Sequence, residues 1–207
     1  MPTAEELRGT SGDELKLLGA AAAERGAAFC RVLGSDEQQD WLDGGLDLVW
    51  AAARDEVAAD DCLEYLDVLE AEDVEGQDEG QDPTEHPGFF ADQAVGLVAE
   101  ALVGSVDPSA ERVERALRTL RTLCSMVDFK LGGEVPVIVR SGDPRPAPGP
   151  LVHRELEAEH ELMALLARAR GASGNAASVD EIRAVAQEFA REVTSAVRAF
   201  SEASSWQ

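Results

Sequence analysis

The stretch from Pro108 to about Leu131 constrains the fold more than any other part of the chain. With successive residues set about 100° apart, Val113, Leu117, Leu120, Leu123, Cys124 and Val127 fall within an arc of roughly 120°. Arg112, Arg115, Arg118 and Arg121 fall on the opposite half. Such a stripe specifies an amphipathic helix, and a helix of this kind must bury its apolar side against other elements. Asp107-Pro108 ahead of it reads as a cap followed by proline at the first helical position.

Helix starts recur along the chain. SGDE (Ser11 to Glu14), SDEQ (Ser35 to Gln38) and SVDE (Ser178 to Glu181) have the capping-box form, in which the Ser hydroxyl serves free amides and the third residue on reaches back. The first opens a pattern of Leu15, Leu18, Ala22 and Phe29 running to about Leu33. The second opens Trp41, Leu42, Leu48, Val49 and Ala52, and the third opens Ile182, Ala186, Phe189, Val193, Val197 and Phe200. DDCLEYLDVLE keeps Cys62, Leu66 and Leu69 on one side, Pro87 permits a new start through Phe90, Ala94, Leu97 and Ala101, and a further helix spans Leu151 to Arg170. Aromatics make up only 5% of residues, so Ala, Leu and Val must fill the core, a mixture that favours helices.

These signals predict an all-α fold. The expectation is one domain over residues 1–207, an antiparallel bundle of six or seven helices with short connections. The exceptions are an acidic loop at 71–87 and a Gly/Pro-rich connection at 132–150. PVIVR within the latter is either a short strand or extended chain, and Pro136 argues against a central strand. The N-terminal segment is charged and unlike a signal peptide, and no apolar run is expected to approach the roughly 20 residues of a membrane span. Three widely spaced cysteines (Cys30, Cys62, Cys124) form no disulfide framework. A cytoplasmic location is the expectation.

Charge is strongly segregated. Of a formal −23, nearly all lies between Val32 and Glu111, where 23 Asp and Glu residues face the single basic residue Arg54. Residues 112–207 hold 13 of each sign. Such a field repels nucleic-acid phosphates and anionic lipid and attracts basic proteins or cations.

GAAFCRVLG, GGLDLVWAAA, HPGFFADQAVGLVAEAL and PLVHRELEAEHELMALLA follow one another in an order and spacing that resembles the YjaG-like family of bacterial all-helical proteins, a domain of unknown function. The resemblance covers residues 15–200 and is carried by segment order. It implies an all-α fold and transfers no catalytic residue. The chain departs from the family pattern at 132–150, in its acidic load, and at His153 and His160, where the family has no histidine.

Candidate chemistry is sparse. The stretch EDVEGQDEGQDPTEH (72–86) holds seven carboxylates, with Asp78, Glu79 and Asp82 at its centre, but it does not fit a calcium loop. Counting from Asp73, the sixth position is Asp78 rather than Gly and the twelfth is Thr84 rather than Glu. A solvated loop is the expected reading. His153, Glu157 and His160 give one E-x-x-H pair with a histidine one turn ahead, half of what a helical di-metal site requires, and an exposed helix face is expected instead. Cys30 and Cys124 lie on apolar faces and Cys62 among carboxylates, so core packing is expected rather than nucleophilic chemistry. The arginine row 112–121 reads as a solvated face or as an internal partner for the acidic block. No phosphate loop, dinucleotide fingerprint or nucleophile elbow is present, and no cofactor is expected.

The function expected from these features is non-enzymatic. An acidic cytoplasmic module would bind a basic protein, as an immunity or antitoxin-type inhibitor does, and would bind neither nucleic acid nor membrane. The expected contact residues are Asp36, Asp40, Asp43 and Asp47 around Trp41, because a folded helix preorganises charges that a loose loop does not. The alternatives are a helical protein whose charge serves solubility alone, and a metal-dependent enzyme built on HRELEAEH.

Overall fold

The computed structural model describes residues 4–70, 86–133, 147–171 and 179–206. Among them are eight α-helices and no strand: α1 Ala4–Arg8, α2 Gly12–Leu33, α3 Asp36–Ala53, α4 Ala59–Glu70, α5 Pro87–Val106, α6 Ala110–Leu131, α7 Pro150–Gly171 and α8 Val179–Ala203. Seven of these answer to the helical patterns in the sequence. The eighth is the short α1, which lays Leu7 into the core.

Two of the capping boxes form as their sequences specify. Ser11 Oγ accepts from the Glu14 amide while Glu14 returns to the Ser11 amide, and Ser35 and Gln38 repeat the exchange. The third begins at Ser178, outside the described residues, as do the acidic stretch 71–85 and the PVIVR segment. The start of α6 differs from expectation. Asp107 ends α5 by donating its amide to the Val103 carbonyl, and Ser109 takes the cap position, so the helix opens at Ala110 and not at Pro108.

α2 is the central helix, packed most extensively against α5 and α8 and also touching α3 and α6. Its run Ala20–Ala23, with Ala27 and Ala28, is buried throughout. Small side chains here let neighbouring helices approach closely. The apolar stripes of α6 (Val113 to Val127) and α8 (Ile182 to Phe200) are buried as their periodicity requires. Residues from all eight helices join one continuous core.

One sequence expectation about membranes needs correction. α5 has 20 residues and is long and apolar enough to cross a bilayer by length and composition, even with Asp92 and Glu100 interrupting the run. In this fold its apolar side, including Phe90, Ala94, Leu97, Val98 and Leu102, is taken up by the core.

α7 is fixed at both ends. Asp128 of α6 accepts the free amides of Leu151 and Val152 at 3.0 Å each, an N-terminal cap supplied from another helix. Any side chain on Gly149 would collide with that carboxylate. At the other end Arg170 forks onto Glu14, the capping-box residue of α2. Burial pushes the Glu14 carboxyl up, but its bonds to Arg170 and Ser11 outweigh this and hold it below the usual range.

Candidate functional site

Two places concentrate polar chemistry: a buried ionic cluster between α2, α6 and α7, and the outer surface of the α3–α4 hairpin.

The buried cluster comes from residues that look out of place in their helices. Arg25 interrupts the alanine-rich run of α2, and Glu155 and Glu159 sit one turn apart on the α7 stripe that also carries Leu151, Ala158, Leu162 and Leu166. Arg25 and Glu155 are both fully buried and form a two-pronged pair, with Nε to Oε2 at 2.9 Å and Nη2 to Oε1 at 2.8 Å. Planar guanidinium and carboxylate forks match in this way, and the match offsets the cost of burial. Arg25 Nη1 has no hydrogen-bond partner among the described residues, nor has either oxygen of Glu159. Arg121 Nε stands 3.4 Å from Glu159 but donates to the Leu117 carbonyl. Burial, reinforced by the charge of Glu155, pushes the Glu159 carboxyl up to about 7. Glu155 is also raised by burial, against the opposing pull of Arg25.

Cys124 is buried beside this cluster, and burial with the charges of Glu155 and Asp128 raises its thiol well above the ordinary value. Cys30 is pushed up to about 11 by burial and by Asp43, and Cys62 is raised by burial and by Asp61. All three are thiols at neutral pH, inert as nucleophiles.

Sequence reasoning passed over Glu155, Glu159 and Arg25. The signal that finds them is two carboxylates four apart on an apolar stripe and a lone Glu-Arg pair inside an alanine run. The histidine face that drew notice instead points outward. His153, Glu157 and His160 are exposed, with His153 3.4 Å from Glu157 along the helix. Among the described residues no group of three or more His, Cys, Asp and Glu side chains is placed to hold a metal. The arginine row also divides. Arg112 and Arg115 both bind Glu100 of the acidic block and Arg118 pairs with Glu114, whereas Arg121 turns inward.

The second place is the α3–α4 hairpin. Tyr65 of α4 stacks on Trp41 of α3 at 5.3 Å and donates its hydroxyl to the Trp41 carbonyl at 2.7 Å. The contact needs Gly44 and Gly45, since a Cβ at either position would meet the Tyr65 ring or Val98. Trp50, nine residues along α3, is fully buried, while Trp41 stays partly exposed. Asp36, Asp40, Asp43 and Asp47 make one exposed stripe on α3, and Asp60, Glu64 and Asp67 make another on α4. Leu63 and Val68 lie exposed along the α4 stripe, at 42% and 52%.

The α3 stripe is not uniform. Asp43 accepts from Arg31 at 2.7 Å and Asp47 from Arg183 at 3.4 Å. Both arginines also approach the buried Glu24, which accepts the indole N–H of Trp50 at 2.8 Å, and Arg183 lies over the Trp50 ring. Asp36, Asp40, Asp60, Glu64 and Asp67 have no such cation among the described residues. Asp78, Glu79 and Asp82 lie outside those residues.

No protein-family model, curated protein or solved structure matches this chain, so the YjaG-like resemblance rests on the order of its segments alone.

Proposed function

We propose that the protein is a non-enzymatic acidic module that binds a basic protein through the outer face of the α3–α4 hairpin, in the manner of an inhibitor seated on a cationic site. The observation that carries this reading is that exposed carboxylates without a cation among the described residues and exposed apolar groups occur on the same two packed helices. Asp36 and Asp40 are exposed on α3, which also carries the partly exposed Trp41, and Asp60, Glu64 and Asp67 are exposed on α4 with Leu63 and Val68. Unpaired charge steers a cationic partner and sets the encounter rate, and desolvated aromatic and aliphatic contacts then set the lifetime. The sequence expectation named Asp43 and Asp47 as equal contributors. Their internal partners Arg31 and Arg183 reduce what they offer an outside cation, so Asp36, Asp40 and the α4 carboxylates carry more of the reading.

The test is kinetic. A partner captured from the native host is purified, and its association and dissociation rates are measured across a salt series. Association should slow sharply as the screening length falls from about 30 Å at 0.01 M salt to about 8 Å at physiological strength. The Asp36→Asn, Asp40→Asn, Asp67→Asn triple variant should lower the on-rate, and Leu63→Ala with Val68→Ala should raise the off-rate. Rates indifferent to salt and to both variants would leave the acidic block as a solubility device.

A further inference from the structure

The buried cluster has no part in the proposed binding face. Glu159 is 2% exposed, and both its oxygens lack a hydrogen-bond donor among the described residues. The charged and titratable groups around it come from three helices. From α2, Arg25 has committed Nε and Nη2 to Glu155. From α6, Arg121 stands 3.4 Å away with its Nε bond given to Leu117, and Cys124 and Asp128 line the neighbouring turns. From α7 itself, Glu155 lies one turn back, also fully buried. On α8, which also packs against α7, Glu192 is held by Arg154 at the surface.

An anionic Glu159 is therefore a buried charge without a hydrogen bond, one turn from a second buried carboxylate. Both conditions penalise the charged form. A neutral carboxyl carries its own donor and removes the repulsion with Glu155. We propose that the packing of α7 is strengthened by acid: a proton on Glu159 favours α7 seated on α6 beside the Arg25–Glu155 pair, and transfer of that proton to water weakens this seating. The direction follows from linkage. A carboxyl raised in the folded state from 4.5 to about 7 favours the packed helix fully below the lower value, and this advantage is lost as pH rises through the upper one.

The test is amide hydrogen exchange on the full chain between pH 5 and 8, with rates divided by their intrinsic values. Protection of α7 amides should fall roughly tenfold per pH unit between about pH 5 and 7 and then level off. Glu159→Gln, neutral at every pH, should remove that slope. α7 protection that does not vary with pH, or a Glu159→Gln slope equal to that of the natural chain, would overturn the proposal. Should the variant fail to fold, the carboxyl carbon of Glu159 in the natural chain is followed by carbon-13 NMR. A midpoint near neutrality supports the linkage of α7 packing to this proton, and a midpoint at the ordinary carboxylate value of about 4.3 overturns it.

Discussion

On the α7 side of the molecule, Arg25, Glu155 and Glu159 are buried with the half-buried Arg121 beside them, few charges balanced in number. On the α3–α4 side the carboxylates are many and exposed, and several have no cation beside them among the described residues. Both sides are built from amphipathic helices of ordinary design. The difference is access to water. A buried charge without a partner costs several kcal/mol, so the interior admits charges only in matched sets. An exposed carboxylate is solvated whether or not a cation stands near it, so the surface accumulates excess charge at little cost to stability. Buried mismatch, as at Glu159, bears on protonation, and exposed excess charge, as on α3 and α4, bears on the proposed encounter with a basic protein.

The largest effect is expected from breaking the interior match. Arg25→Met should destabilise the fold by about 3–5 kcal/mol in urea denaturation, because Glu155 is left buried without its fork. Arg25→Met with Glu155→Leu should recover much of the loss. A single variant as stable as the natural chain would erase the contrast between the two sides. Next comes Gly44→Ala, whose added methyl drives the Tyr65 hydroxyl from the Trp41 carbonyl. A loss of about 1–3 kcal/mol is expected, with Trp41 fluorescence shifting as the hairpin loosens.

Acid titration sharpens the comparison by sign. Glu14 is held below its ordinary value, so its contribution is present above the unfolded value of 4.5 and is lost as pH falls through the folded one. Glu159 acts in the opposite sense. Glu14→Gln should therefore flatten the acid limb of the stability profile, and Glu159→Gln the limb between about pH 5 and 7, when stability is measured across that range. The smallest effects belong to the surface. Asp43→Asn and Asp47→Asn each break an exposed pair and should cost less than about 1 kcal/mol, while Asp36→Asn and Asp40→Asn should leave the unfolding midpoint unchanged.

The fold was largely legible in the sequence because its helices announce themselves locally. Caps such as Ser11 and Ser35 act over three residues, and stripes such as Val113 to Val127 repeat within a few turns. What was not legible depends on distant partners. Glu155 reads as one more charge in a charged helix until Arg25, 130 residues away in sequence, is placed against it. Arg121 looks like its neighbours Arg115 and Arg118 until α7 packs on that side of α6. The acidic stripe on α3 was visible, but the internal claims of Arg31 on Asp43 and Arg183 on Asp47 were not, because periodicity carries no information about which helix lies alongside.

The alanine-rich α2 also bears on how the chain assembles. During synthesis α2 emerges early, yet the helices that cover it most, α5 and α8, come near the middle and at the end. Until α8 leaves the ribosome, the central helix lacks one of the two helices that cover it most. Incomplete intermediates of this kind are the species that aggregate or engage chaperones. Stalling translation just before Val179 would leave α2 without the cover that α8 supplies.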